Sequence, residues 1–210
     1  SEDRTVNYLM IDTAEGTRAL LCVDGTTYYS ENLKNAGSET LMPMIDELLK
    51  RGGIEISKVD VFGACVGPGS FTGLRIGLTT IRTFCYALGK PCFAVNKLRL
   101  NSYNNNSTKV ISIADAGNKV CYAARYDGEE EVDGAMCMTV DDAEKYVAAH
   151  PDHAISTDLK LAGLFAGTAG IGEREMRIAA ERHIGNADSY TTLSPLYVRK
   201  AQPERGEGDL

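Results

Sequence analysis

The chain has 210 residues, 43% hydrophobic and 24% charged, with a net charge of −7 at neutral pH. That composition is expected of an ordinary water-soluble globular protein, long enough for one large domain or two small ones. The acidic balance argues against a protein that holds nucleic acid alone by neutralising phosphates, so such contact requires a local basic patch or a more basic partner.

Tyr8 to Thr13 is the first apolar strand pattern. Ala19–Val23 and Thr26–Tyr29 then flank Asp24-Gly25, a hairpin signature. Leu41, Ile45 and Leu48 recur at helical spacing, with Ser38 as the expected cap and Gly52-Gly53 as the stop. Pro43 gives up a backbone donor, which predicts a slight kink or a start nearer position 41.

Val59 to Val66 reads as a strand that runs into Gly67-Pro68-Gly69-Ser70-Phe71-Thr72-Gly73-Leu74-Arg75-Ile76-Gly77. The glycines permit positive φ and close approach, and Ser70 or Thr72 can cap the helix that follows. A helix N-terminus here is a potential anion site, or the glycines only let the strand turn tightly into a packed helix. The lysine of a Walker loop is absent and the spacing is not a dinucleotide fingerprint. Leu74, Leu78, Ile81, Cys85 and Leu88 form one helical stripe, expected to face a sheet, while Arg75, Thr79, Arg82 and Tyr86 form another. Gly89-Lys90-Pro91 ends the helix and the next strand begins, completing a right-handed βαβ unit.

The polar segment Asn101 to Thr108 is the natural seam. The expected division is a first lobe over 1–102, a second over 103–202 and a frayed tail over 203–210. Val110–Ala114 and Val120–Tyr126 form a second strand pair across Gly117-Asn118. Thr139 with Asp142 resembles a capping box before a short helix to Ala149, and an amphipathic stretch runs from Glu173 to Ile184. The six cysteines (Cys22, Cys65, Cys85, Cys92, Cys121, Cys137) have no CxxC spacing and read as reduced, buried thiols of a cytoplasmic protein. The sequence shows neither a leader pattern nor an apolar run of membrane-spanning length, so no membrane association is expected.

The string GPGSFTGLRIG resembles the signature of the TsaB (YeaZ) family, the accessory subunit of bacterial threonylcarbamoyladenosine formation in tRNA. Met10-Ile11-Asp12-Thr13, Leu41 to Leu49, Ile113-Ala114-Asp115-Ala116, Val120-Cys121-Tyr122 and Ser194 to Arg199 extend the likeness over most of the chain. The resemblance implies an α/β, actin/Hsp70-like (ribonuclease-H-like) fold of two lobes, the second abbreviated. It implies a non-catalytic subunit that binds and activates a TsaD-type catalytic partner, with a TsaE-type ATPase joining and ATP with magnesium used by the complex. A homodimer is expected in isolation, and tRNA contact only through the partner. The family's contact helices correspond here to an interface at Leu41, Met42, Ile45, Arg75, Thr79, Arg82 and Tyr86.

The TsaD type carries a His-x-Glu-Gly-His metal motif after the same helix, and by carry-over that motif falls at Lys97 to Asn101. Lysine does not replace imidazole as a ligand and Arg99 is a cation, so no metal or catalytic residue is expected. An alternative reading is a small-molecule kinase or ATPase. In it Asp12 and Thr13 hold Mg-nucleotide with the Gly67–Gly73 loop, Gly67 and Gly69 included; otherwise both residues satisfy turn amides. Gly163, Gly167, Gly170 and Gly172 carry no nucleotide signature for the second lobe. His150, His153 and His183 sit at expected helix ends or loops, and no histidine is near a serine or cysteine nucleophile in sequence.

Overall fold

A computed structural model of the chain describes residues 5–34 and 37–198. Ser1 to Arg4, the Ser38 side chain, Arg199 and the 203–210 tail lie outside the described residues. Asp24 (φ 47°) and Gly25 (φ 82°) both take the positive φ that a two-residue hairpin turn demands. That turn sets β2 (Thr17–Val23) antiparallel to β3 (Thr26–Asn32). β1 (Tyr8–Asp12) pairs with the free edge of β2, and β4 (Val61–Gly67) and β5 (Cys92–Asn96) add in parallel, giving the order β3-β2-β1-β4-β5.

The second sheet repeats the plan. β6 (Lys109–Gly117), β7 (Val120–Asp127) and β8 (Glu130–Thr139) are an antiparallel meander, while β9 (Ala154–Thr157) and β10 (Thr168–Ala169) add in parallel. Its order, β8-β7-β6-β9-β10, is the order of the first sheet, and this duplicated topology is that of the actin/Hsp70-like fold. The abbreviation is visible in one crossover. In the first lobe α2 (Phe71–Leu88) joins the two parallel strands with 18 residues; in the second, a 3-10 turn at Leu159–Leu161 stands in its place.

Alternation along β1 assigns the two faces of the first sheet. Leu9 and Ile11 join α1 (Ser38–Gly52) and α2 through Leu41, Ile45, Leu48, Leu78, Ile81 and Cys85. Tyr8 and Met10 face α3 (Lys97–Ser102) and α5 (Glu173–His183), whose Met176, Ala179 and Ala180 complete that core. α5 follows position 103 yet packs on the first sheet, and the chain behind it stays there. Cys92 and Asp188 exchange backbone bonds of 2.8 Å, and Leu196 N–H donates to the Val66 carbonyl at 2.8 Å. α4 (Val140–Ala148) covers the second sheet, capped by the Thr139 side chain as its sequence predicts.

One expectation is corrected and one choice is resolved. α1 begins at Ser38, capped by Gly37, and does not start near Leu41; Pro43 sits inside it, forgoing one backbone bond. Ser70 alone caps α2, accepting from Gly73 N–H at 3.2 Å, while Thr72 lies within the helix. No helix among the described residues is long and apolar enough to cross a membrane. All six cysteines are buried. A thiol reagent is therefore expected to label none of them rapidly in the native protein and all six after denaturation; rapid native labelling would contradict this packing.

Candidate functional site

Asp12 ends β1 and is fully buried, and its carboxylate is saturated from within the chain. Oδ1 accepts from Ala14 N–H at 2.9 Å, and Oδ2 accepts from Arg18 Nη1 at 3.2 Å and Lys97 Nζ at 2.8 Å. Burial alone would raise its pKa, but the Lys97 and Arg18 charges hold the carboxyl below its ordinary value. The lysine at the first position of the carried-over metal motif thus places its ammonium where a nucleotide-bound cation would otherwise approach. The residues present do not fit Mg-nucleotide. Both oxygens of Asp12 already accept from the chain's own donors, and Thr13, 2% exposed, is pressed beneath the backbone of Gly77. Of the two readings of this pair, the contacts of Asp12 are those in which it satisfies the chain's own groups, the Ala14 amide among them.

Above this buried cluster a cleft of about 410 Å³ opens between the lobes. Glu15, Gly69, Ser70 and Lys97 form one wall; Asp115, Asp158 and Lys160 form the other. Asp158 is spent on the backbone, accepting from Asp115 N–H at 2.6 Å and Leu161 N–H at 3.1 Å. Burial pushes the Glu15 carboxyl up. The glycine loop lies against the β1–β2 turn: Ser70 N–H donates to the Ala14 carbonyl at 2.9 Å, and a Cβ at Gly69 would stand 2.7 Å from that oxygen. Gly67 has φ +97° and is buried at the end of β4. Of the four positions proposed for a cofactor, only Gly69 reaches the cleft, and its lack of a side chain is explained by packing.

The exposed face of α2 is a second candidate. Arg75, Thr79, Arg82 and Tyr86 are all exposed, Tyr86 at 74%. Aromatic neighbours that the helical period could not reveal widen the face. Phe71 is 55% exposed, packs against Tyr197 and lies under the Arg75 guanidinium at 4.7 Å; Tyr86 meets Tyr190 edge-on. On α1, Met42 is exposed, but Leu41 and Ile45 are buried in the protein's own core and cannot contribute to a docking surface. That part of the expected interface is corrected.

The remaining reactive residue types are structural. Cys65 packs with Ala14 and Leu74, and burial pushes its thiol well above the ordinary value. His150 and His183 each place Nδ1 on a backbone carbonyl one helical turn back, at 2.8 and 2.9 Å. No group of three metal-ligating side chains occurs among the described residues.

Residues 31–172 match the family model described as TsaD, tRNA N6-adenosine threonylcarbamoyltransferase. The Escherichia coli tRNA threonylcarbamoyladenosine biosynthesis protein TsaB is 29% identical over 128 residues, 58% of this chain and 55% of that protein. The chain belongs to the TsaD family. A tRNA N6-adenosine threonylcarbamoyltransferase of Rhizobium johnstonii is 32% identical over 111 residues, 50% of this chain and 30% of that enzyme. The chain spans about half or less of the length of these curated relatives. The fold is shared with a Pseudomonas aeruginosa protein described as similar to the peptidase YeaZ, with a TM-score of 0.78 at 22% identity, covering 93% of this chain and 100% of that one. Within the TsaD family, this member carries Lys97 and Arg99 at the carried-over metal positions, and both are committed to ion pairs, with Asp12 and Glu129.

Proposed function

We propose that this chain is a non-catalytic subunit of tRNA threonylcarbamoyladenosine formation that binds and activates a TsaD-type catalytic partner. The observation that carries the reading is the Lys97–Asp12 pair, 2.8 Å and almost wholly buried, which occupies the carboxylate that nucleotide chemistry on this fold would use. The chain is left with a surface to offer. Arg75, Arg82 and Tyr86, with the Phe71 and Tyr197 rings, combine the residue types that anchor protein interfaces. The same face supports a homodimer when the partner is absent. A TsaE-type ATPase joins the assembly, the complex uses ATP and magnesium, and tRNA is held through the partner in the cytoplasm.

The test is reconstituted tRNA threonylcarbamoylation, comparing this chain alone, the TsaD-type subunit with its other components, and the full mixture. Activity only in the full mixture is the expected result; turnover by this chain without the TsaD-type subunit would overturn the reading. Arg82→Glu is expected to weaken the heterodimer by about 2 kcal/mol, as loss of an interface anchor does, while surface exposure keeps its effect on stability within about 0.5 kcal/mol. Titration calorimetry on the pair checks the first value and thermal unfolding the second. The kinase or ATPase alternative predicts Mg-ATP binding by the isolated chain, and calorimetry with millimolar nucleotide is expected to show none.

A further inference from the structure

The last turn of α2 and the first residue of β5 bring two thiols together. Cys85 and Cys92 are 1% and 3% exposed and share one apolar core with Phe62 and Ile81. The Cys85 carbonyl accepts from Lys90 N–H at 3.1 Å, and the Cys85 thiol lies 3.8 Å from the Pro91 carbonyl oxygen, one peptide unit from Cys92. The two thiols are also hydrogen-bonded to each other. That bond pushes the Cys85 thiol up and holds Cys92 below its ordinary value, where the Arg82 charge acts in the same direction. Cys121 and Cys137, on neighbouring strands, are not a second pair of this kind. The β7–β8 register sets Cys137 opposite Tyr122, on the other face of the sheet from Cys121.

A cleft of about 440 Å³ lies beside the pair, lined by Cys85, the turn from Gly89 to Pro91, Asp188 and Tyr190. It gives a small oxidant a way to the sulfurs. We propose that Cys85 and Cys92 are a redox-sensitive pair that closes to an intrachain disulfide under a hydroperoxide. Cys92, the more acidic thiol, attacks as thiolate on one oxygen of hydrogen peroxide; the O–O bond breaks, and the hydroxide leaves with the thiol's proton as water. The Cys85 thiol then attacks the sulfenic acid, the S–S bond forms and a second water departs. Two thiols are oxidised and one peroxide is reduced to two waters. In closing, the sulfurs come to about 2.05 Å from each other. Closure therefore ties the Tyr86 end of the exposed α2 face to β5, whose Cys92 backbone already pairs with Asp188.

The inference does not rest on the TsaD-partner reading. The test incubates the full chain with hydrogen peroxide for hours, then denatures it, alkylates it and measures its intact mass. The untreated chain is expected to take six labels and the treated chain two fewer, with all six restored by a thiol reductant. Chymotrypsin cuts after Tyr86 and Leu88, so the Cys85 and Cys92 peptides of the treated parent should run joined until reduced. Cys85→Ala and Cys92→Ala should each abolish the paired loss, and Cys137→Ala should keep it. The proposal is overturned if the treated parent still takes six labels, if the loss resists reduction, or if the joined peptides contain any other pair of cysteines.

Discussion

Asp12→Ala is expected to cost about 3 to 5 kcal/mol of folding stability, the loss typical when one partner of a buried ion cluster is removed. The size follows from what remains: Arg18 and Lys97, with side chains 1% and 2% exposed, would face each other as buried cations without their shared carboxylate. Against a total of about 5 to 15 kcal/mol, that brings the protein close to unfolding. Urea denaturation measures it, and Asp12→Ala combined with Lys97→Met should recover part of the loss because one stranded charge is gone. A loss below about 1 kcal/mol for the single variant would mean that Glu31, 3.6 Å from Arg18 Nε, already compensates. The pH dependence has a definite sign. The folded pKa of Asp12 lies below its unfolded value of about 3.9, so its contribution is complete at neutral pH and is lost only as pH falls through the folded value. Asp12→Asn should flatten that acid limb and leave the neutral region level.

Gly77→Ala is expected to cost about 2 kcal/mol although alanine is the better helix former. Helix propensity gains up to about 1 kcal/mol, but a Cβ at position 77 would stand 2.2 Å from Thr13 Oγ1 and 3.1 Å from its Cγ2. A short, buried side chain at the end of β1 cannot swing away, and overpacking of that kind costs about 1 to 3 kcal/mol or more. Adding Thr13→Ala removes both clashing atoms and leaves the threonine Cβ position at 3.2 Å, so the double variant should regain most of the loss. Chemical denaturation of the four proteins of this cycle decides the matter; additivity would show that Gly77 is required for some reason other than Thr13. Partner affinity should fall in the single variant as well, since α2 must shift to accommodate the methyl group.

Local chemistry made the first-lobe strands, the β6–β7 pair and the long helices legible. Asp24-Gly25 announced the hairpin, the i, i+4 apolar stripe of α2 announced its buried face, and Thr139 announced the start of α4. α3 was not legible, because Lys-Leu-Arg-Leu-Asn-Ser shows no amphipathic period: both of its faces are buried, and its charges are neutralised by residues distant in the chain. β8 escaped because it opens with Glu130-Glu131, polar residues that an exposed strand at a sheet edge tolerates. At the candidate site the GPGSFTGLRIG motif marked a loop that borders the cleft, but not how that loop packs. Gly69 and Gly77 are explained by contacts with Ala14 and Thr13, Gly67 by its positive φ, and Asp12 meets Lys97 across 85 positions of sequence. Helical spacing placed Arg75, Thr79, Arg82 and Tyr86 on one open face; it could not separate Met42 from Leu41 and Ile45, since which side of α1 is covered depends on the sheet beneath it.

The return of the chain to its first sheet binds the two halves into one folding unit. A fragment ending at residue 102 would lack Met176, Ala179 and Ala180, leaving Met10, Leu20, Phe93 and Val95 open to water on one whole side of the sheet. Neither half is then a module that could be exchanged or expressed by contiguous cutting, and heat should melt both in a single cooperative step.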